Sequence, residues 1–166
     1  MPEIFKNKKR GYAMLELLFY ISIFAIISLV SINAMVIMTK SFRETAIQGE
    51  FVESASIMER ISREIRGSYG INFISGTDLV LNTKDVAGAN KTEEFVLSGH
   101  DIRFLENGTL TGNLNTPNIY VTALTFTQIT TTTGKAVKVV LTVKSTNDAL
   151  GRTENFYDTI VLRDSY

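Results

Sequence analysis

Gly11-Tyr12-Ala13-Met14-Leu15-Glu16-Leu17-Leu18-Phe19 is the stretch on which the architecture turns. A basic cluster, Lys6, Lys8, Lys9 and Arg10, precedes it. An apolar run follows to about Met38, and between Arg10 and Lys40 the only formally charged residue is Glu16. The run exceeds the roughly 20 apolar residues that cross a bilayer, and it is too long for a signal-peptide h-region of about 7–15. One membrane span is expected. The cytoplasmic bias of Lys and Arg places the N-terminus inside and the remainder outside. A carboxylate within such a span costs roughly 2.5–3.5 kcal/mol even on lenient insertion scales, so Glu16 requires a physical reason.

Beyond Lys40 charges appear, yet Ile47, Phe51, Ala55, Met58, Ile61 and Ile65 recur at helical spacing along one stripe. Glu44, Glu50, Glu53, Glu59, Arg60, Arg63 and Arg66 are assigned to the other faces, acids earlier and arginines later, as the helix dipole favours. Gly67 and Gly70 supply the stop. One helix from Tyr12 to Arg66 is then on the order of 80 Å long, at 1.5 Å per residue.

After Gly70 the period changes to two. Ile102 and Phe104 alternate with Arg103, Val137 to Val143 alternate with Lys138 to Lys144, and Phe156, Ile160 and Leu162 alternate with Tyr157, Thr159 and Arg163. Asn107-Gly108 between Phe104-Leu105 and Thr109-Leu110 is a two-residue hairpin signal. Ile119 to Ile129 and Lys135 to Ser145 flank Thr130-Thr131-Thr132-Thr133-Gly134, which reads as a second hairpin with a longer loop. Asn82 to Thr92, polar and containing Gly and Asn, reads as a loop. The expected class is α+β: a long N-terminal helix, membrane-spanning in its first half and amphipathic in its second, packed on a mostly antiparallel β-sheet. The expected divisions are 1–11, 12–39, 40–66 and a β-rich domain at 67–166.

Composition narrows the function. The 166 residues carry 17 basic and 17 acidic side chains, and the N-terminal basic cluster leaves the rest slightly acidic. Counterion release on nucleic acid therefore has no evident source, and no nucleic-acid partner is expected. Cysteine is absent, which removes disulfides, thiolate nucleophiles and Cys-held metals. No nucleophile elbow, phosphate loop or metal-ligand helix is present, so an enzyme is not expected, nor is a cofactor.

The order of basic leader, Gly11, aromatic Tyr12, Leu15-Glu16-Leu17-Leu18 and unbroken apolar helix resembles the N-terminus of type IV prepilins, a family that includes pilins and the pseudopilins of type II secretion. The resemblance implies that residues 1–11 are a leader removed after Gly11 on the cytoplasmic side by a prepilin peptidase. Tyr12 then becomes the new, N-methylated terminus. It implies that Glu16, fifth in the mature chain, pairs with the terminal amine of a neighbouring pilin or pseudopilin subunit as the helix leaves lipid. Peptidase and methylase, fellow subunits, an inner-membrane assembly platform and membrane lipid are the implied partners. The localisation implied is the cytoplasmic membrane for the precursor, then a periplasmic or cell-surface filament. Many members begin Phe-Thr-Leu-Ile-Glu, where this chain has Tyr12-Ala13-Met14-Leu15-Glu16. Pro2 and Pro117 are the only prolines, so the mid-helix proline common in major pilins is missing, as is their C-terminal disulfide. Both departures favour a minor pilin or minor pseudopilin, and the strand pattern after Asn107 faintly resembles the J-type. The alternative is a signal-anchored extracytoplasmic binding module not built into a filament; a membrane-anchored hydrolase ranks third.

The remaining candidates have plainer readings. Ser22, Ser28, Ser31 and Asn33 are expected to bond to helix carbonyls or neighbouring helices. His100, the only histidine, is expected to be a surface residue. Asp78, Asp85, Glu93 and Glu94 lack calcium-loop spacing, and Glu93, Glu94, Glu154 and Asp158 are expected at solvent-facing strand positions rather than as paired catalytic acids, so no metal site is assigned. Asn90-Lys91-Thr92 and Asn107-Gly108-Thr109 match glycosylation acceptors but are read as turn chemistry.

Overall fold

The computed structural model of the chain describes residues 8–132 and 134–162, with residues 8–11 described by backbone alone. Residues 1–7 of the expected leader, Thr133 of the expected second-hairpin loop and Arg163 of the expected closing strand lie outside the described residues. One helix, α1 (Lys8–Gly67), is followed by eight strands: β1 (Gly70–Ser75), β2 (Asp78–Lys84), β3 (Asn90–Ser98), β4 (Asp101–Glu106), β5 (Thr109–Asn113), β6 (Ile119–Thr131), β7 (Gly134–Ser145) and β8 (Thr153–Val161). The class is α+β, with a long N-terminal helix, apolar in its first part, and an antiparallel β domain on which the part of the helix beyond Ala46 packs. The chain divides into two compact units, one ending at Thr45 and one beginning at Ala46. In the first, helix is the only structure among the described residues.

The second unit contains two antiparallel sheets, a five-stranded one ordered β1-β2-β3-β4-β5 and a three-stranded one ordered β6-β7-β8. Every neighbour in each sheet is the next strand in sequence, so short turns suffice. Asn107 and Gly108 form the β4–β5 turn with φ of 50° and 76°, the left-handed pair that a two-residue hairpin needs. The Asn107 side chain also accepts the Thr92 N–H at 2.9 Å, tying the turn to β3.

A single apolar core serves both sheets. Ile57, Met58, Ile61 and Ile65 of α1 meet Leu79, Leu81, Phe95 and Ile102 of the five-stranded sheet and Leu124, Val139, Leu141 and Ile160 of the other. The inward residues of β7, Val137, Val139, Leu141 and Val143, are wholly buried, which is what their alternation with Lys138 to Lys144 predicts. Between the sheets sits Asn115, itself buried: its Oδ1 accepts the Ile102 N–H at 2.9 Å and its Nδ2 donates to the Ile119 carbonyl at 2.8 Å. A backbone bond from Phe126 N–H to the Gly76 carbonyl, 2.6 Å, joins β6 to the β1–β2 turn.

Three expectations are corrected. Asn82 to Thr92 is not a loop: Asn82, Thr83 and Lys84 pair with Thr92, Lys91 and Asn90, leaving a turn at 85–89 in which Asp85 accepts the Ala89 N–H. The strands are polar there because charge pairing replaces hydrocarbon at that end of the sheet. The second hairpin is tighter than expected, since Thr131 pairs with Gly134. The helical stripe is also displaced: Ala55 is exposed and Phe51 half-buried, while Glu50, Ser54 and Ser62 turn inward.

Ile61 is completely buried, whereas Val52 on the same helix is 72% exposed. Ile61→Ala is expected to cost about 2–5 kcal/mol through lost transfer energy and a residual cavity, and Val52→Ala less than about 0.5 kcal/mol. Chemical denaturation of the full chain in detergent micelles reads the difference; equal losses would refute this account of the core.

Candidate functional site

The N-terminal half of α1 has the only long apolar surface among the described residues that meets membrane-spanning criteria. Large apolar side chains from Tyr12 to Met38 are between 39% and 75% exposed, around the whole helix. A helix apolar on every side cannot remain in water, since each large side chain left uncovered forfeits roughly 1.5–3 kcal/mol. Four of its hydroxyls are satisfied locally. Ser22, Ser31, Thr39 and Thr45 donate to carbonyls four residues earlier, at 2.8, 2.8, 2.9 and 3.0 Å. Asn33 is exposed on the same segment.

Within this surface lie the residues marked in the sequence. Gly11 is within the helix, which begins at Lys8 rather than at Tyr12, so the glycine does not interrupt it. Tyr12 is 75% exposed. Glu16 is exposed, and its Oε1 accepts the Tyr20 hydroxyl at 3.2 Å one turn along the helix. That partner was not foreseen, although the spacing of four residues signals it. It engages one carboxylate oxygen in a direction parallel to the helix.

In the second unit, the acids nominated from sequence are dispersed. Asp78 and Glu94 share the outward face of adjacent strands, and burial pushes both carboxyls upward, with Asp78 adding its charge at Glu94. Glu93 is on the opposite face and buried, which corrects its expected solvent-facing position. Lys91 explains how: its ammonium lies 2.7 Å from Glu93 and 3.2 Å from Glu106. Glu93 Oε2 finds no hydrogen-bond partner among the described residues. Asp158 is likewise not free, accepting the Ser62 hydroxyl at 2.6 Å with Arg66 at 3.8 Å. Among the described residues no three His, Asp or Glu side chains converge as metal ligands. Asn90 begins a strand, and Asn107 forms a turn.

Glu50, assigned to the polar face from sequence, is buried and accepts Asn147 Nδ2 at 2.6 Å, anchoring the β7–β8 connection. In that connection, Arg152 donates to Asp148 at 2.9 Å and lowers its carboxyl to about 2. A groove of about 500 Å³ runs between the helix at Gln48, Phe51, Val52 and Ala55 and the start of β8 at Thr153, Glu154 and Phe156. It contains neither a paired acid nor a nucleophile–base geometry. Comparison with family models, curated proteins and solved structures finds no match to this chain.

Burial first, and the nearby Glu93 charge second, raise the Glu64 carboxyl above 4.5, against the opposing charges of Arg63, Arg60 and Lys91. A carboxyl whose folded value lies above its unfolded one costs stability at neutral pH, and the cost disappears as pH falls through the folded value toward 4.5. Glu64→Gln is thus expected to raise the melting temperature at pH 7, with the gain shrinking to nothing below about pH 4.5; thermal melts across pH check the sign.

Proposed function

We propose that this chain is a structural subunit of a helix-packed filament, a minor pilin or minor pseudopilin, assembled after leader removal at Gly11. The observation that carries the reading is an all-round exposed apolar helix, Tyr12 to Met38, containing one carboxylate four residues beyond the proposed new terminus. Lipid covers this surface before assembly, and neighbouring helices cover it afterwards.

Apolar contact alone does not drive that exchange, because lipid tails and leucine side chains are equally apolar; packing and polar pairs must direct it. Cleavage after Gly11 creates an amine at Tyr12. A neighbour's amine opposite Glu16 then converts an expensive isolated charge into a pair, with an axial offset between helices of about four residues, roughly 6 Å. Tyr20 already holds Oε1 of that carboxylate, leaving Oε2 available to the ammonium. Losing either partner strands the other in an apolar surround, so the pair selects register more than it adds net stability. The absence of a mid-helix proline favours a low-abundance role in priming or capping.

Intact-mass measurement on the chain recovered from a host with a prepilin peptidase is expected to show Tyr12, singly methylated, at the N-terminus. An intact Met1, or a cut beyond the apolar run, would instead fit a signal-anchored binding module. Glu16→Ala is expected to be cleaved and membrane-inserted normally. Its recovery in purified filaments should fall at least about tenfold, given roughly 3–5 kcal/mol for a buried charge left unpaired. Wild-type incorporation would defeat the pairing role.

A further inference from the structure

The outward face of the β6-β7-β8 sheet is built differently from the rest of the domain. Opposite the buried row of β7 stand Lys138, Val140, Thr142 and Lys144. Their register partners on the flanking strands include Thr127, Thr125 and Tyr120 on β6 and Thr159, Tyr157 and Asn155 on β8. Among the described residues no carboxylate lies on this face. The two acids of these strands, Glu154 and Asp158, pair with Val143 and Val139 and so belong to the inward side. Acids in the adjoining turns are occupied, Asp101 by Asn113 and Asn115, and Asp148 by Arg152. The outward face of the other sheet carries Asp78 and Glu94 beside Lys84 and Arg103, so exclusion of acids is not a general rule of this surface.

One ring, Tyr157, lies between two cations along the face. Lys138 lies two residues before Val140, the register partner of Tyr157, and Lys144 pairs with Tyr120. The two lysines, six residues apart on one strand, are separated by roughly 20 Å. Tyr157 is 67% exposed. Tyr120 is held rigid: the His100 ring stacks on it at 4.7 Å with planes 9° apart, and Lys144 Nζ lies 5.7 Å from its centroid. Among the described residues neither Lys138 nor Lys144 meets a carboxylate.

The geometry points to a binding face for an acidic polysaccharide, lying along β7 with a sugar ring on the exposed Tyr157 and carboxylates or sulfates at Lys138 and Lys144. Tyrosine offers a flat apolar body with a polar tip, which suits a sugar ring that is apolar on its faces and hydroxylated at its rim. The hydroxyls of Thr125, Thr127 and Thr159 supply both donors and acceptors for those rims, while the Thr142 hydroxyl donates to Asn155 Oδ1 at 2.8 Å. Charge selects within the class, since an acid-free face attracts anions. Two lysines on a chain that is slightly acidic beyond its N-terminal basic cluster do not supply the counterion release that drives nucleic-acid binding.

Retention of the full chain in detergent micelles on immobilised polygalacturonate tests this, with dextran and single-stranded DNA as comparators. Binding to polygalacturonate over both comparators is expected. Tyr157→Ala, and Lys138→Gln with Lys144→Gln, should each weaken it roughly three- to tenfold, while Lys84→Gln on the other sheet leaves it unchanged. All substituted side chains are at the surface, and unaltered thermal melts establish that the variants remain folded. No retention, equal retention on dextran or DNA, or an equal loss with Lys84→Gln would overturn the assignment.

Discussion

The β domain depends on one row of helix side chains being covered by two sheets at once. Ile57, Ile61 and Ile65 are buried in a cluster to which both sheets contribute. Neither sheet closes on itself, and each by itself would leave its apolar face uncovered. A three-stranded meander of this kind is marginal alone in water, and packing against a helix is the usual remedy. The Asn115 side chain complements that row, because its amide bonds to β4 and to the start of β6, satisfying backbone groups at the seam where neither sheet supplies a partner. Truncating the helix within this row would therefore remove a shared wall, and not only one contact surface.

Much of this fold was legible because two periodicities dominate the chain. The switch near Gly67 from helical spacing to alternation located the end of α1, and Asn107-Gly108 announced a turn whose φ values only glycine and asparagine readily adopt. The stretch from Gly70 to Ser98 was less transparent. Leu79 and Leu81, and then Phe95 and Leu97, do alternate, but Asn82, Thr83, Lys84, Asn90 and Lys91 look like loop residues until their partners are known. Three strands there form by pairing across the sheet, a long-range effect that local composition does not encode. The division into two sheets was equally hidden, since alternation identifies a strand's faces and says nothing about which neighbour it acquires.

At the candidate site, Glu16 stood out because a charge in an apolar run is costly, and Tyr20 was readable only as a side chain one turn away. Glu50 and Glu93 were assigned outward because acids usually are. Both are buried for a reason supplied by residues distant in sequence or facing them across a strand: Asn147 for Glu50, and Lys91 with its second contact to Glu106 for Glu93. A buried carboxylate is tolerated where a donor is positioned for it, and that donor cannot be found from the acid's own neighbours.

The hydroxyls of Ser22, Ser31, Thr39 and Thr45 have a wider consequence than their individual bonds. By returning their protons to carbonyls of their own helix, they leave these hydroxyl donors with no demand on whatever stands outside. Such a surface is nearly neutral to a change of neighbour. It can be wetted by acyl chains or covered by another helix without a hydrogen bond having to be broken and remade at those positions. Environmental preference is thereby removed at those positions, and what the segment still asks of its surroundings rests with groups such as the Glu16 carboxylate and the exposed Asn33 amide.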